Sequence, residues 1–190
     1  MNSTDAADRF RRMAARFTTV VDAIPSSAWG APSPCEAWSV RDVVEHVVDS
    51  EREFLGRMPF GRPAGSPGVD EPAGDPLDRW RRIRDMMQAA LDDPASSSHS
   101  YEGYFGPTTF AETVDTFYTD DLLVHSWDVA RGAGLTALEP MDASDMKATR
   151  ARLEPMGDAL RSPGIYGPPV EPAGGGTAQA AFLAWTGRRA

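Results

Sequence analysis

Cysteine is nearly absent from this chain. Cys35 stands alone among 190 residues, so no disulfide can form within the chain, and a reducing compartment is the simplest setting for it. Histidine is almost as scarce, with only His46, His99 and His125. No apolar run approaches the ~20 residues needed to span a bilayer. Residues 1–8 lack both the basic start and the apolar stretch of a secretory signal. These absences lead to the expectation of a soluble, cytoplasmic protein. Positive charge is also short, 19 Lys and Arg against 28 Asp and Glu, for a net charge of -9. Such a protein repels phosphate backbones and anionic lipid unless it carries a basic stripe. Its densest basic stretches are Arg9-Phe10-Arg11-Arg12 and Arg79-Trp80-Arg81-Arg82-Ile83-Arg84. Each lies on a predicted helix beside acidic residues and reads as a solvated face. Neither nucleic acid nor membrane is an expected partner.

What the chain does have is helical periodicity. Phe10, Met13, Ala14, Phe17, Val20, Val21 and Ile24 recur at three- and four-residue steps, one apolar stripe ended by Pro25. After a Pro- and Ser-rich loop at 26–38, Ser39 is placed to cap a second helix, with Asp42 in capping-box position. Val40, Val43, Val44, Val47, Phe54, Leu55 and Met58 form the apolar face of that helix. Residues 59–74 read as a loop. Asp75-Pro76 starts a third helix, with Asp as cap and Pro at the first helical position; it runs to about Asp93. Residues 96–107 are expected to hold a short hairpin. A fourth helix spans about 110–131 and a fifth about 143–154. Residues 163–176 read as loop, and 177–185 as a last short helix. The expectation is one all-α domain over 1–190, a bundle of four main helices with additional C-terminal helices.

The anomaly lies on the fourth helix. At ~100° per residue, Val114, Phe117, Tyr118, Leu122 and Val129 mark its inward side, and Asp121, His125 and Asp128 fall in the same sector. Asp115, Thr116, Thr119 and Asp120 are expected to face solvent. An unpaired carboxylate aimed at the core costs several kcal/mol, so something must compensate it. Three answers are open: a local Asp121–His125 pair at i, i+4, an arginine from another helix such as Arg41 or Arg84, or a metal ion held as helical bundles often hold one. His46, on the flank of the second helix's apolar face, is the better third ligand; His99, in the Ser-rich loop, is the poorer.

Three stretches resemble a known family. Pro34-Cys35-Glu36-Ala37-Trp38-Ser39-Val40-Arg41-Asp42-Val43-Val44-Glu45-His46 is similar to its segment before the first metal ligand. Asp121-Leu122-Leu123-Val124-His125-Ser126-Trp127-Asp128-Val129-Ala130-Arg131 is similar to its acidic-x-x-x-His-x-Trp-Asp segment. Tyr166-Gly167-Pro168-Pro169-Val170 with Phe182-Leu183-Ala184-Trp185-Thr186-Gly187-Arg188 is similar to its tail. The chain thus resembles the DinB/YfiT-like superfamily of metalloenzymes. Within it, the likeness is to the actinobacterial branch related to the metal-binding domain of mycothiol-dependent maleylpyruvate isomerase.

The resemblance implies a four-helix bundle in which His46, Asp121 and His125 hold one divalent metal. That donor set suits Zn²⁺, and also Ni²⁺, Fe²⁺ or Mn²⁺. It implies a metal-dependent transferase or isomerase activating a low-molecular-weight thiol, mycothiol above all, toward an electrophile whose identity stays open. Dimers are the default for such bundles. The alternative is a non-catalytic metal- or small-molecule-binding stress-response module. Asp128 is then expected either to accept from a ligand imidazole or to pair with Arg131. Trp127 is expected to pack in the core, and Trp38 and Cys35 to anchor the loop before the second helix. No electropositive neighbour is evident for Cys35. The pocket walls are expected from residues 59–74 and 96–109.

Overall fold

A computed structural model describes residues 3–60, 74–162, 165–172 and 176–189. Four helices carry the architecture: α1 (Ser3–Asp22), α2 (Val40–Arg57), α3 (Pro76–Asp92) and α6 (Thr119–Gly132). Between the last two lie a single helical turn α4 (Pro94–Ser97), the hairpin β1 (Ser100–Gly103) and β2 (Gly106–Thr109), and α5 (Phe110–Thr113). A π-helical turn, Val114–Tyr118, joins α5 to α6. Two further helices, α7 (Ala143–Leu153) and α8 (Ala178–Trp185), complete the described chain.

Local chemistry explains the boundaries. Ser39 and Asp42 close the expected capping box at the start of α2. Asp75 accepts from the Leu77 amide to cap α3, with Pro76 opening the helix. Thr109 and Glu112 form a second capping box that turns the hairpin directly into α5. Asp142 and Thr177 cap α7 and α8.

The bundle is a square in which α1 packs on α3 and α6, and α2 packs on the same two. Its centre is apolar and close-packed. Phe17 meets Trp80 edge-on, with centroids 4.8 Å apart. Trp80 donates its indole N–H to Thr18 at 2.9 Å, so its one polar atom is satisfied. The expected apolar faces of α1 and α2 are the buried ones, and α3 buries Trp80, Ile83, Met87 and Leu91 at three- and four-residue steps. Among the described residues no helix is long and apolar enough to cross a membrane. The loop expected at 59–74 falls mostly outside the described residues.

Two expectations fail on α6 and α1, for one reason. Asp115, Thr119 and Asp120 do not face solvent; each is about 1% exposed or less. α6 has no solvent side over most of its length, because α7 covers the face that α1 and α2 leave. The buried carboxylates are met by guanidiniums. Arg9 donates to the Asp115 side chain and backbone carbonyl, both at 2.8 Å, and also pairs with Asp120. Arg152 reaches Asp120 at 2.9 Å, and the Thr149 hydroxyl donates to it at 2.6 Å. Arg9 is therefore no part of a solvated basic face, whereas its neighbours Arg11 and Arg12 are half exposed. This network grips the π turn from two helices. A π turn closes its hydrogen bonds over five residues and recurs at functional sites; here it ends three residues before Asp121.

Arg9→Met leaves two buried carboxylates short of a counter-charge and is expected to cost about 3–5 kcal/mol in chemical denaturation. Arg12→Met, whose ion pair is half exposed, is expected to change stability by less than about 0.5 kcal/mol.

Candidate metal centre

The site lies where α2 faces α6. His46 projects from the flank of α2, and its Nε2 stands 3.7 Å from Asp121 Oδ2. His125, one turn after Asp121, places its own Nε2 3.2 Å from Asp121 Oδ1. One donor atom from each of His46, Asp121 and His125 lies within 4.8 Å of the others. Donors at the usual 2.0–2.2 Å from one ion sit about 3–4 Å apart, so a small contraction closes this set around a cation. The remaining positions open to solvent: the side chains of His46 and Asp121 are about one-third exposed, while His125 is nearly covered.

The local electrostatics favour an electron-pair acceptor between the three. Burial works against the Asp121 charge, but the imidazoles of His125 and His46 outweigh it and hold the carboxyl below the usual carboxylate range. Burial likewise opposes a charged His125, yet Asp121 and Asp128 outweigh it and raise the imidazole. An imidazole fixed between two carboxylates must carry a proton or meet another cation. At Nδ1 the partner is Asp128 Oδ2 at 2.9 Å. With Nδ1 donating there, the Nε2 lone pair points toward Asp121 and His46, the tautomer a metal ligand needs.

Asp128 does not pair with Arg131, which instead reaches Glu139 at 3.1 Å. Its counter-charge is Arg188, beyond α8, at 3.0 Å from Oδ2 and 3.3 Å from Oδ1. Nor do Arg41 and Arg84 compensate the inward carboxylates; they pair with Glu45 and Asp85. Arg188 also lies 3.7 Å from Cys35 Sγ, and the thiol reaches Asp128 at 3.3 Å. Cys35 therefore does have an electropositive neighbour, supplied by a residue 153 positions away in the chain. Cys35, His125 and Asp128 form a second group with ligand-like spacing. The guanidinium already provides the positive charge there, so a metal ion would meet direct repulsion. His99 stands apart, edge-on to Phe60.

The loop before α2 is anchored by Val40 N–H to Ala31 O and Ser33 N–H to Trp38 O, both at 2.9 Å. It lays Trp38 over His46 at 4.8 Å between centroids. Trp127 is buried in the core. A cavity of about 690 Å³ opens over the donors. Its described walls differ from the expected ones. They come from the loop before α2 with Cys35 and Trp38, the π turn with Phe117 and Tyr118, and the C-terminal segment with Tyr166 and Arg188. The 96–109 hairpin lines none of it. Instead Phe105 at its tip stacks behind Phe117 at 5.8 Å.

Residues 10–130 match the family described as mycothiol maleylpyruvate isomerase N-terminal domain. This chain belongs to that family. The match holds all three donors together with Cys35 and Asp128, and it leaves Arg188 outside. Two curated proteins are similar over most of their length: "Uncharacterized protein Rv0738" of Mycobacterium tuberculosis strain ATCC 25618 / H37Rv, and "Uncharacterized protein MT0763" of strain CDC 1551 / Oshkosh. Each is 28% identical over 161 residues, covering 78% of this chain and 78% of the relative. No solved structure matches. The mycothiol maleylpyruvate isomerase family is a metal-binding one, the fold here is all-α, and the donors above are groups that can hold an ion.

Arg188→Met removes the charge that pairs Asp128 and unpins the segment forming the cavity wall. Thermal and chemical unfolding are expected to show a loss of about 3–5 kcal/mol. Arg189→Met, at the exposed rim of the same cavity, is expected to stay within about 0.5 kcal/mol of the parent.

Proposed function

We propose that this protein binds one divalent metal ion through His46, Asp121 and His125 and acts as a thiol-dependent transferase or isomerase. In this reading a low-molecular-weight thiol of the mycothiol type would be transferred to an electrophile in the cavity, or the adduct of thiol and electrophile would be isomerised there. The observation that carries the reading is the convergence of three electron-pair donors on the floor of an open 690 Å³ cavity. Two imidazoles and a carboxylate suit zinc, with nickel, iron and manganese as alternatives. A bound zinc ion supplies Lewis acidity, which makes a thiol or water in its open position easier to deprotonate.

The chain's own residues do the rest. Asp128 orients His125, and Arg188 fixes Asp128. Trp38 restrains the His46 ring. Phe117, Tyr118, Ile165 and Tyr166 give the cavity an apolar lining that excludes water from bound substrate. The single cysteine fits a reducing cytoplasm, where such a thiol is held reduced.

The open cavity also favours an enzyme over a purely structural ion, whose coordination would be closed by protein. Purified protein, stripped and then reloaded with Zn²⁺, is assayed with mycothiol and monobromobimane. The expected result is a rate that requires metal. His46→Ala and His125→Ala are expected to lower bound metal well below one equivalent. Asp128→Asn, which loosens the orientation of His125 and the hold on Arg188 together, is expected to weaken metal binding about 10–100-fold. The absence of a metal-dependent rate with any thiol rejects the transferase reading. A fall of many degrees in melting temperature on metal removal points instead to a structural ion.

A further inference from the structure

Among the described residues Glu51 is the one buried acid without an ion-pair partner. It lies on α2 five residues beyond His46 and is 1% exposed, and neither carboxyl oxygen has a hydrogen-bond partner. Stranding a carboxyl in this way costs several kcal/mol if it is ionised. The contrast with its fellows is sharp. Asp115 and Asp120 are met by Arg9 and Arg152, and Asp128 by Arg188. The charge Glu51 feels most is that of another acid, Asp121, and its other titratable neighbour is the Tyr118 phenol. Burial first, and the Asp121 charge second, push the Glu51 carboxyl well above the usual carboxylate range.

Contacts on either side of Glu51, His46 to Asp121 at 3.7 Å and Phe54 to Tyr118 at 4.6 Å between ring centroids, set this part of α2 against the stretch that carries Asp121. Among the described residues nothing balances an ionised Glu51, but a dication in the donor set would. Two neutral imidazoles, the Asp121 carboxylate and a dication sum to one positive charge. One further carboxylate nearby makes the whole buried assembly neutral, the arrangement a low-dielectric interior favours. Glu51 is not among the donor atoms that converge at the site, so it acts through its charge and not as a ligand. We propose that Glu51 is the outer counter-charge of the metal centre, a carboxyl left without a protein partner whose compensation is the dication held by His46, Asp121 and His125. This inference rests on the metal-binding part of the proposed function and is independent of any thiol chemistry. It assigns Glu51 a role in setting affinity for a doubly charged ion, and it couples loading of the site to departure of the Glu51 proton.

The test compares wild type with Glu51→Gln, and with Glu51→Met, which needs no hydrogen-bond partner should the amide be poorly accommodated. Melting of metal-free protein is measured first. Zn²⁺ affinity and proton release follow by calorimetry at pH 7 in buffers of different ionisation heat. Expected are metal-free variants at least as stable as wild type, Zn²⁺ affinity lower by about tenfold or more, and fewer protons released on binding. A merely structural Glu51 predicts the reverse pattern, with metal-free protein destabilised and affinity and proton count unchanged. Either unchanged affinity or an unchanged proton count overturns the inference while leaving the metal site intact. Wild type that takes up no divalent metal overturns the metal reading and this inference together.

Discussion

The imidazole of His125 is engaged at both nitrogens by carboxylates of its own helix, Asp121 one turn before it and Asp128 three residues after. The rest of the site follows from that double engagement. With Asp128 taking Nδ1–H, Nε2 is aimed at Asp121 and His46. With Asp128 buried and charged, a guanidinium must come to it, and that guanidinium is Arg188. Because Arg188 lies past α8, its pairing draws the C-terminal segment across α6 and walls the cavity. The same guanidinium sits against Cys35 and tells against a second cation there.

A similar logic holds the helix that carries the pair. The π turn at Val114–Tyr118 is clamped from α1 by Arg9 and from α7 by Arg152, through Asp115 and Asp120. Thr116, Phe117 and Tyr118 thereby reach the cavity wall. Guanidinium–carboxylate pairs thus hold α6 toward both of its ends, Arg9 and Arg152 on Asp115 and Asp120, and Arg188 on Asp128. Glu51 stands outside this pattern, and that is why it bears on the charge of whatever occupies the centre.

Much of this was legible in residue spacing. Apolar steps of three and four mark α1, α2 and α3, and Ser39 with Asp42 marks the start of α2. A helical wheel alone sets Asp121, His125 and Asp128 on a face where charge needs an answer. It leaves His46 on a flank, and its place opposite Asp121 depends on how α2 and α6 pack. What spacing could not show was the cover over α6: Asp115 and Asp120 lie on a face that would be wet in a bare four-helix bundle and is dry beneath α7. Arg188 was beyond reach for a similar reason, since no local pattern joins it to Asp128 60 residues earlier. Glu51 did leave a signal. It falls four residues after Val47 and three before Phe54, on the apolar stripe of α2, but inside Asp49-Ser50-Glu51-Arg52-Glu53 it reads as one more surface charge. Thr109-Phe110-Ala111-Glu112 carried its capping box in plain view as well.

The proposed cation sits on the His46 side of the His125 ring and not on the Cys35 side. X-ray absorption spectroscopy of zinc-loaded protein tests it directly. The expected spectrum shows a first shell of nitrogen and oxygen at about 2.0–2.2 Å, with the outer scattering of two imidazoles. A sulfur scatterer at about 2.3 Å in protein loaded without added thiol, or a shell with a single imidazole, would contradict it.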